Sequence, residues 1–264
     1  MSTLVGGEGM SITQDLKGKT AFVTGGSGDI GGAIARALAA WGADVAISYI
    51  GHSDGAVATS HAVQAAGRRS LAVQLDQRDA ASIDAAVGTV VDQFGRVDIL
   101  VNNAAWNIGI PFGALDDLTA DIWDRVLETN LRGPYLLARA FAPQLRAHGA
   151  GRIVNIASLA GLYPGGSSIA YAASKAGLIH LTRCMAIALA PDVTVNCVAP
   201  GLVEGTRMAQ RLPDAVADSA RKHAVLGRTA SAQDIAEQVV TFCRAESVTG
   251  QVLVIDGGFP GGMR

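Results

Sequence analysis

A tyrosine and a lysine four residues apart, Tyr171 and Lys175, stand at the head of an amphipathic stretch. Positions i and i+4 share one helix face, so phenol and ammonium converge on one spot. A free tyrosine ionises at about 10, too high to take up a proton readily at neutral pH. A fixed cation beside it favours phenolate. Such a phenol can exchange a proton with a substrate oxygen as hydride moves. The same spacing also describes a Tyr and a Lys on a solvated helix face. Composition favours the chemical reading. The chain has four lysines against 17 arginines, and Lys175 is the only lysine between Lys19 and Lys222. A compact ammonium head stands where this chain otherwise uses arginine. Thirteen residues before Tyr171 lies Ser158, just past an apolar run over 152–156. Ligands of open α/β sheets bind at the carboxyl ends of strands, so Ser158 is placed to hydrogen-bond a carbonyl or hydroxyl. Alone, it would read as a satisfied turn serine.

A second cluster lies near the start. An apolar run over 20–24 leads directly into Gly25-Gly26-Ser27-Gly28-Asp29-Ile30-Gly31-Gly32, and a helical pattern follows. Glycines let backbone approach a pyrophosphate, and the helix N-terminus offers free N–H groups and partial positive charge. Glycine is common here, with 32 residues, so the Gly26-x-Gly28-x-x-Gly31 spacing needs its strand–turn–helix context to count. An acid about 20 positions on would hold the ribose diol of NAD. The second strand ends instead in Ser48-Tyr49-Ile50-Gly51-His52-Ser53. The missing acid favours NADP(H) mildly over NAD(H), although no Arg or Lys stands nearby to pair with a 2′-phosphate.

Elements that must position these residues follow from periodicity. Strands are expected over 20–24, 44–49, 71–75, 99–101, 152–156, 194–198 and 251–255. Amphipathic helices are expected over 30–41, 82–94, 121–148, 171–190 and 232–244. Alternation of strands and helices implies βαβ units, a parallel sheet and helices on both faces. No repeat, linker or composition break divides the chain. It reads as a flexible tail over 1–16 and a single Rossmann-type domain over 17–264. Residues 199–225 lack clear periodicity and read as a lid or binding loop.

Composition narrows the classes. Net charge is −2, which gives no field favouring nucleic acid or an acidic membrane. No run of 18 apolar residues exists, and no signal pattern precedes the first strand. Cys184, Cys197 and Cys243 lack metal-ligand spacing, and the five histidines are scattered. The expectation is a cytoplasmic protein without a metal site.

Several pieces together resemble the short-chain dehydrogenase/reductase family, in its single-domain branch. They are Thr24-Gly25-x-x-x-Asp29-x-Gly31, Asn102-Asn103-Ala104-Ala105, Asn130, Ser158, Tyr171-x-x-x-Lys175 and Pro200-Gly201, running in family order from about Lys17 to Gly258. The resemblance implies a doubly wound α/β domain with a seven-stranded parallel sheet. It implies a catalytic tetrad of Asn130, Ser158, Tyr171 and Lys175. The serine orients the substrate oxygen, the tyrosine transfers the proton, the lysine meets the nicotinamide ribose and the asparagine holds a relay water. For the cofactor it implies Gly25, Ser27, Asp29 and Ile30 at the turn, Tyr49 at the second strand, and Asp76 and Gln77 near the adenine. Asn103 and Ala104 would lie by the ribose, and Pro200, Gly201 and Val203 by the carboxamide. Homotetramers are common in the family, and the apolar segment 252–255 agrees with one.

Three departures stand out. Asp29 replaces the usual second glycine, so its carboxylate would repel a pyrophosphate unless it points away. Ala105 replaces a glycine. The threonine expected four residues after Gly201 is displaced, with Gly205 in its place and Thr206 next.

The activity implied is hydride transfer between NAD(P)(H) and a secondary alcohol or ketone. A 3-oxoacyl or small-ketone reductase leads, with a polyol or sugar dehydrogenase as the alternative. Substrate contacts are expected from Trp106, Ser158, Tyr163 and Arg207, within loops 106–111, 159–165 and 202–225. Arg207 would meet a substrate carboxylate or phosphate, but it reads more readily as a solvent-exposed side chain on a mobile lid. Enoyl reductases space their Tyr and Lys seven apart, not four. Extended-branch epimerases need a larger C-terminal lobe than the 63 residues after Gly201. A cofactor sensor without chemistry would not need an intact tetrad.

Overall fold

Seven short apolar segments pair in parallel register in the computed structural model, which describes residues 16–211 and 214–260. The strands are β1 (Thr20–Val23), β2 (Asp44–Tyr49), β3 (Ser70–Gln74), β4 (Ile99–Asn102), β5 (Gly151–Ile156), β6 (Val193–Pro200) and β7 (Val252–Ile255). Their order is β3-β2-β1-β4-β5-β6-β7. The helices are α1 (Asp29–Ala40), α2 (Ser53–Ala65), α3 (Ala80–Phe94), α4 (Ala120–Leu127), α5 (Gly133–Arg146), α6 (Ile169–Leu189), α7 (Asp214–His223) and α8 (Ala232–Arg244).

Strand side chains alternate between faces, and both faces are covered. Ala21 and Val23 of β1 pack with Ile34 of α1, Val63 of α2 and Val239 of α8. Phe22 between them faces Val90 of α3, Leu137 and Phe141 of α5, and Leu189 of α6. The Phe22 and Phe141 rings lie 5.1 Å apart, centre to centre. Leu16 also packs in the first of these clusters, so the core reaches one residue into the expected tail. Residues 1–15 of that tail lie outside the described residues.

Three stretches differ from the periodicity reading. The helix expected over 121–148 is broken into α4 and α5 by a π turn, Glu128–Arg132, around the buried Asn130. Such turns often mark functional sites. α2 was not anticipated, because its Ser, Thr, His and Gln blur the apolar stripe. Within 199–225 lies α7, whose residues are exposed or half-buried and carry no apolar stripe to read.

Candidate active site

β1 and β4 are neighbours, and the sheet order runs outward from them in both directions. Such a switch point opens a crevice at the carboxyl ends of the strands. Val23 of β1 pairs with Ile47 of β2 and Val101 of β4, so the loops leaving these strands emerge side by side. Thr24 ties the rims together. Its hydroxyl donates to the Val101 carbonyl (3.3 Å) and accepts from the N–H groups of Asn103 and Ala104, each at 2.9 Å. The Asn103 amide donates back to the Thr24 carbonyl at 2.9 Å. Thr24 was quoted in the motif but not singled out as a site residue. Its position between strand and glycine turn was the available signal.

The glycine turn is built for close approach. Gly25 has φ +65°, a region that favours glycine. A Cβ on Gly31 would collide with the Gly25 carbonyl oxygen, so this glycine lets α1 close onto the turn. α1 starts at Asp29 with no side-chain cap from Gly28. Its first N–H groups form an anion-binding terminus. These features fit a dinucleotide's diphosphate.

A cavity of about 860 Å³ opens from this turn. Gly25, Ser27, Asp29, Ile30, Tyr49, Asp76, Gln77, Asn103 and Ala104 all line it. Pro200, Gly201, Val203 and the tetrad lie outside that lining. Asp76 forms a 2.6 Å ion pair with Arg78, whose hydrogen bonding holds the carboxyl below its usual range against the opposing effect of burial. Gln77 turns its amide inward, donating to the carbonyls of Ala104 (3.1 Å) and Thr129 (2.6 Å). It therefore braces the loop after β4.

The four tetrad candidates come from three separate elements. Ser168 caps α6 by accepting from the Tyr171 N–H at 3.2 Å, which places Tyr171 in the helix's first turn. Lys175, one turn on, is buried, and its ammonium donates to the Ile156 carbonyl at the end of β5 (2.8 Å). Ser158 follows β5, and its hydroxyl accepts from Ala160 N–H (3.2 Å). Burial pushes the Tyr171 phenol up from its ordinary value, and the Ser158 hydroxyl pulls it partly back. Burial likewise pushes Lys175 down to about 8. Asn130, in the π turn, accepts from the Trp106 N–H (2.8 Å) and donates to the Trp106 carbonyl (2.9 Å) and to Ser174 Oγ (3.2 Å). Ser174, which also donates to the Tyr171 carbonyl at 2.7 Å, links Asn130 to α6 and was not anticipated.

The expected substrate contacts separate. Trp106 lines the cavity beneath the Arg125 guanidinium, 4.2 Å from its ring centre. Tyr163 is exposed outside it and meets Phe259 edge to face at 5.4 Å. Arg207 lies on the glycine turn: its N–H donates to Asp29 Oδ2 at 2.8 Å. Thr206 is buried, donating to the Val203 carbonyl (2.8 Å) and accepting from Ala209 N–H (3.2 Å). Among the described residues no group of His, Cys, Asp and Glu could hold a metal, and no helix is long and apolar enough to cross a membrane.

Known proteins are similar to this chain in sequence and fold. A family model described as enoyl-(acyl carrier protein) reductase matches residues 26–260. The 3-oxoacyl-[acyl-carrier-protein] reductase FabG of Staphylococcus aureus is 35% identical over 243 residues, 91% of this chain and 97% of that protein. Human dehydrogenase/reductase SDR family member 4 is 34% identical over 266 residues, 98% of this chain and 94% of that one. A short-chain dehydrogenase from Burkholderia cenocepacia, solved in complex with NADP, superposes with a TM-score of 0.85 at 40% identity, covering 92% and 98% of the two chains. This chain belongs to the short-chain dehydrogenase/reductase family. As a single-domain short-chain dehydrogenase/reductase it is an NAD(P)-dependent oxidoreductase acting on hydroxyl and keto groups.

Proposed function

We propose that this enzyme reduces a medium-sized, partly apolar ketone of the 3-oxoacyl type with NADPH, and that Tyr171 delivers the proton. The observation that carries this reading is the convergence of Ser158, just past β5, with Tyr171, in the first turn of α6, whose ring centre lies 5.6 Å from the ammonium of the buried Lys175. Two hydroxyls placed in this way can both turn to one carbonyl oxygen. Ser158 would hold that oxygen, and Tyr171 would protonate it as the alkoxide forms. The bound nicotinamide supplies the hydride. Lys175 would meet the nicotinamide ribose and keep positive charge near the phenol. Asn130 fixes the Trp106 backbone and, through Ser174, the first turn of α6. In the proposed relay it would also hold a water.

For the cofactor, the glycine turn would hold the diphosphate, and Tyr49 and Asp76 would flank the adenosine. Asn103 and Ala104 would meet a ribose, and Pro200, Gly201 and Val203 the carboxamide. The absence of an acid at the end of β2 and the NADP bound to the Burkholderia relative support NADPH. The 3-oxoacyl reductase activity that FabG is named for, together with Trp106, Ile108 and Met208 in the cavity wall, supports an acyl-type ketone. Ile187 is 82% exposed and Leu253, on the edge strand β7, 39%. Two-fold contacts would cover such apolar surface in pairs, which supports a homotetramer. Buried free thiols at Cys197 and Cys243 suit a reducing cytoplasm. A panel of 3-oxoacyl esters, small cyclic ketones and polyols, assayed with NADPH and NADH side by side, tests the reading. Turnover confined to polyols with oxidised cofactor would overturn it.

A further inference from the structure

Arg207 and Asp29 are 178 residues apart, yet they meet at the mouth of the cavity. Two contacts of different quality join them. The Arg207 backbone N–H donates to Asp29 Oδ2 at 2.8 Å, a well-formed bond. The guanidinium is held loosely: Nε lies 3.5 Å from the same oxygen, and Nη2 lies 3.5 Å from the Ser27 carbonyl. Its side chain is 52% exposed. A Cβ on Gly28 would stand 3.7 Å from Nη2, so the charged head lies directly on the glycine turn. The segment carrying it is anchored on both sides. Thr206 is buried behind it, and Asn107 on the opposite rim donates to Met208 Sδ at 3.0 Å.

This geometry answers the problem posed by Asp29. A carboxylate in the first turn of α1 would repel a diphosphate bound there. A cation held against that carboxylate cancels its charge. The backbone bond docks the strap, and the half-exposed guanidinium is free to turn by a few ångströms. We propose that Arg207 is a diphosphate ligand of this enzyme, docked over the glycine turn by Asp29. This inference rests on the dinucleotide-binding function proposed above. It assigns Arg207 to the cofactor and not to the substrate. It also makes the aspartate and the arginine one unit: the aspartate holds the strap in place, and the arginine supplies the charge that the altered turn lacks.

The test is direct binding without substrate, by fluorescence titration of Arg207→Ala, Arg207→Lys and wild type. Arg207→Ala should weaken NADPH, NADH and ADP alike by about tenfold, the effect of a charge-assisted bond on a partly exposed side chain. Adenosine 2′-monophosphate, which has no diphosphate, should bind unchanged. Arg207→Lys should recover part of the loss. In an Asp29→Gly background, adding Arg207→Ala should cost less than it does in wild type, because the guanidinium is no longer docked. NADPH affinity within twofold of wild type in Arg207→Ala would overturn the proposal. So would a defect confined to substrate KM, or full additivity with Asp29→Gly. A wild-type protein that binds neither NADPH nor NADH would instead overturn the oxidoreductase reading, and this inference with it.

Discussion

The Lys175 ammonium nitrogen lies 5.6 Å from the centre of the Tyr171 ring and donates to the Ile156 carbonyl, 2.8 Å away, instead of to the phenol oxygen. Helical spacing predicts that the lysine, together with an oxidised nicotinamide, brings the phenol below its ordinary value. In the folded chain burial raises the phenol, and the group that opposes the rise is Ser158 and not Lys175. The physical reason is placement: the cation sits beneath the ring, tied to the end of β5. Both members of the pair are therefore held toward their neutral forms. In alcohol oxidation, kcat/KM should accordingly rise with pH as Tyr171 loses its proton. A profile flat from about pH 6 to about pH 9, with pre-steady-state rates equally flat, would contradict phenolate as the base.

The depressed Lys175 value has a consequence for stability. The folded value is about 8, below the 10.5 of an ordinary lysine. Between those values the unfolded chain binds more protons than the folded one, so this group's contribution to stability rises with pH. From about pH 7.5 to about pH 9.5 the gain is on the order of 2 kcal/mol. Urea denaturation of wild type and Lys175→Met across this range checks it. The variant should lack the rise and should also lose turnover. Parallel curves for the two proteins would contradict the burial argument. Lys175→Arg should be equally inactive, because a planar guanidinium cannot replace a compact ammonium in this buried position.

Asn130 should act first as a brace. Asn130→Ala leaves the Trp106 N–H and carbonyl without their side-chain partner. The expected cost is about 2 kcal/mol of stability. Thermal denaturation checks this, and an unchanged Tm would show that the Trp106 loop holds itself.

Much of this arrangement was legible in the sequence. The strands showed because each is a short apolar run, and Val45, Ala46 and Ile47 of β2 are buried on both faces. Tyr171, Lys175 and Ser158 showed because local spacing and the end of one strand bring them together. Other parts depended on tertiary contacts. The π turn at Asn130 depends on bonds to Trp106, 24 residues away. Thr24 showed only through its place between strand and glycine turn, and Ser174 carries no chemistry that marks it out, so only its contacts reveal its work. The partner of Asp29 lies 178 residues off, and no local pattern points to it.

Cofactor choice should follow Tyr49, which lines the cavity at the end of β2. NADPH should bind more tightly than NADH by about tenfold, or ~1.4 kcal/mol. Tyr49→Asp should move the preference towards NADH, by repelling the 2′-phosphate and offering a partner to the ribose diol. The ratio of Kd values in the two proteins checks it. Tighter NADH binding by wild type would place the ribose ligand elsewhere in the chain.

Assembly is open to one simple measurement. Light scattering should return four times the 27.0 kDa of one chain. A particle of single-chain mass at micromolar concentration would contradict the homotetramer.

The role of Tyr171 is the centre of the account, and single-turnover reduction of a 3-oxoacyl ester by Tyr171→Phe tests it most directly. Phenylalanine keeps the ring and removes only the oxygen that carries the proton. The rate of NADPH oxidation should fall by about a hundredfold or more, while the NADPH Kd stays close to that of wild type. A rate loss below about tenfold, with cofactor binding intact, would contradict Tyr171 as the proton donor.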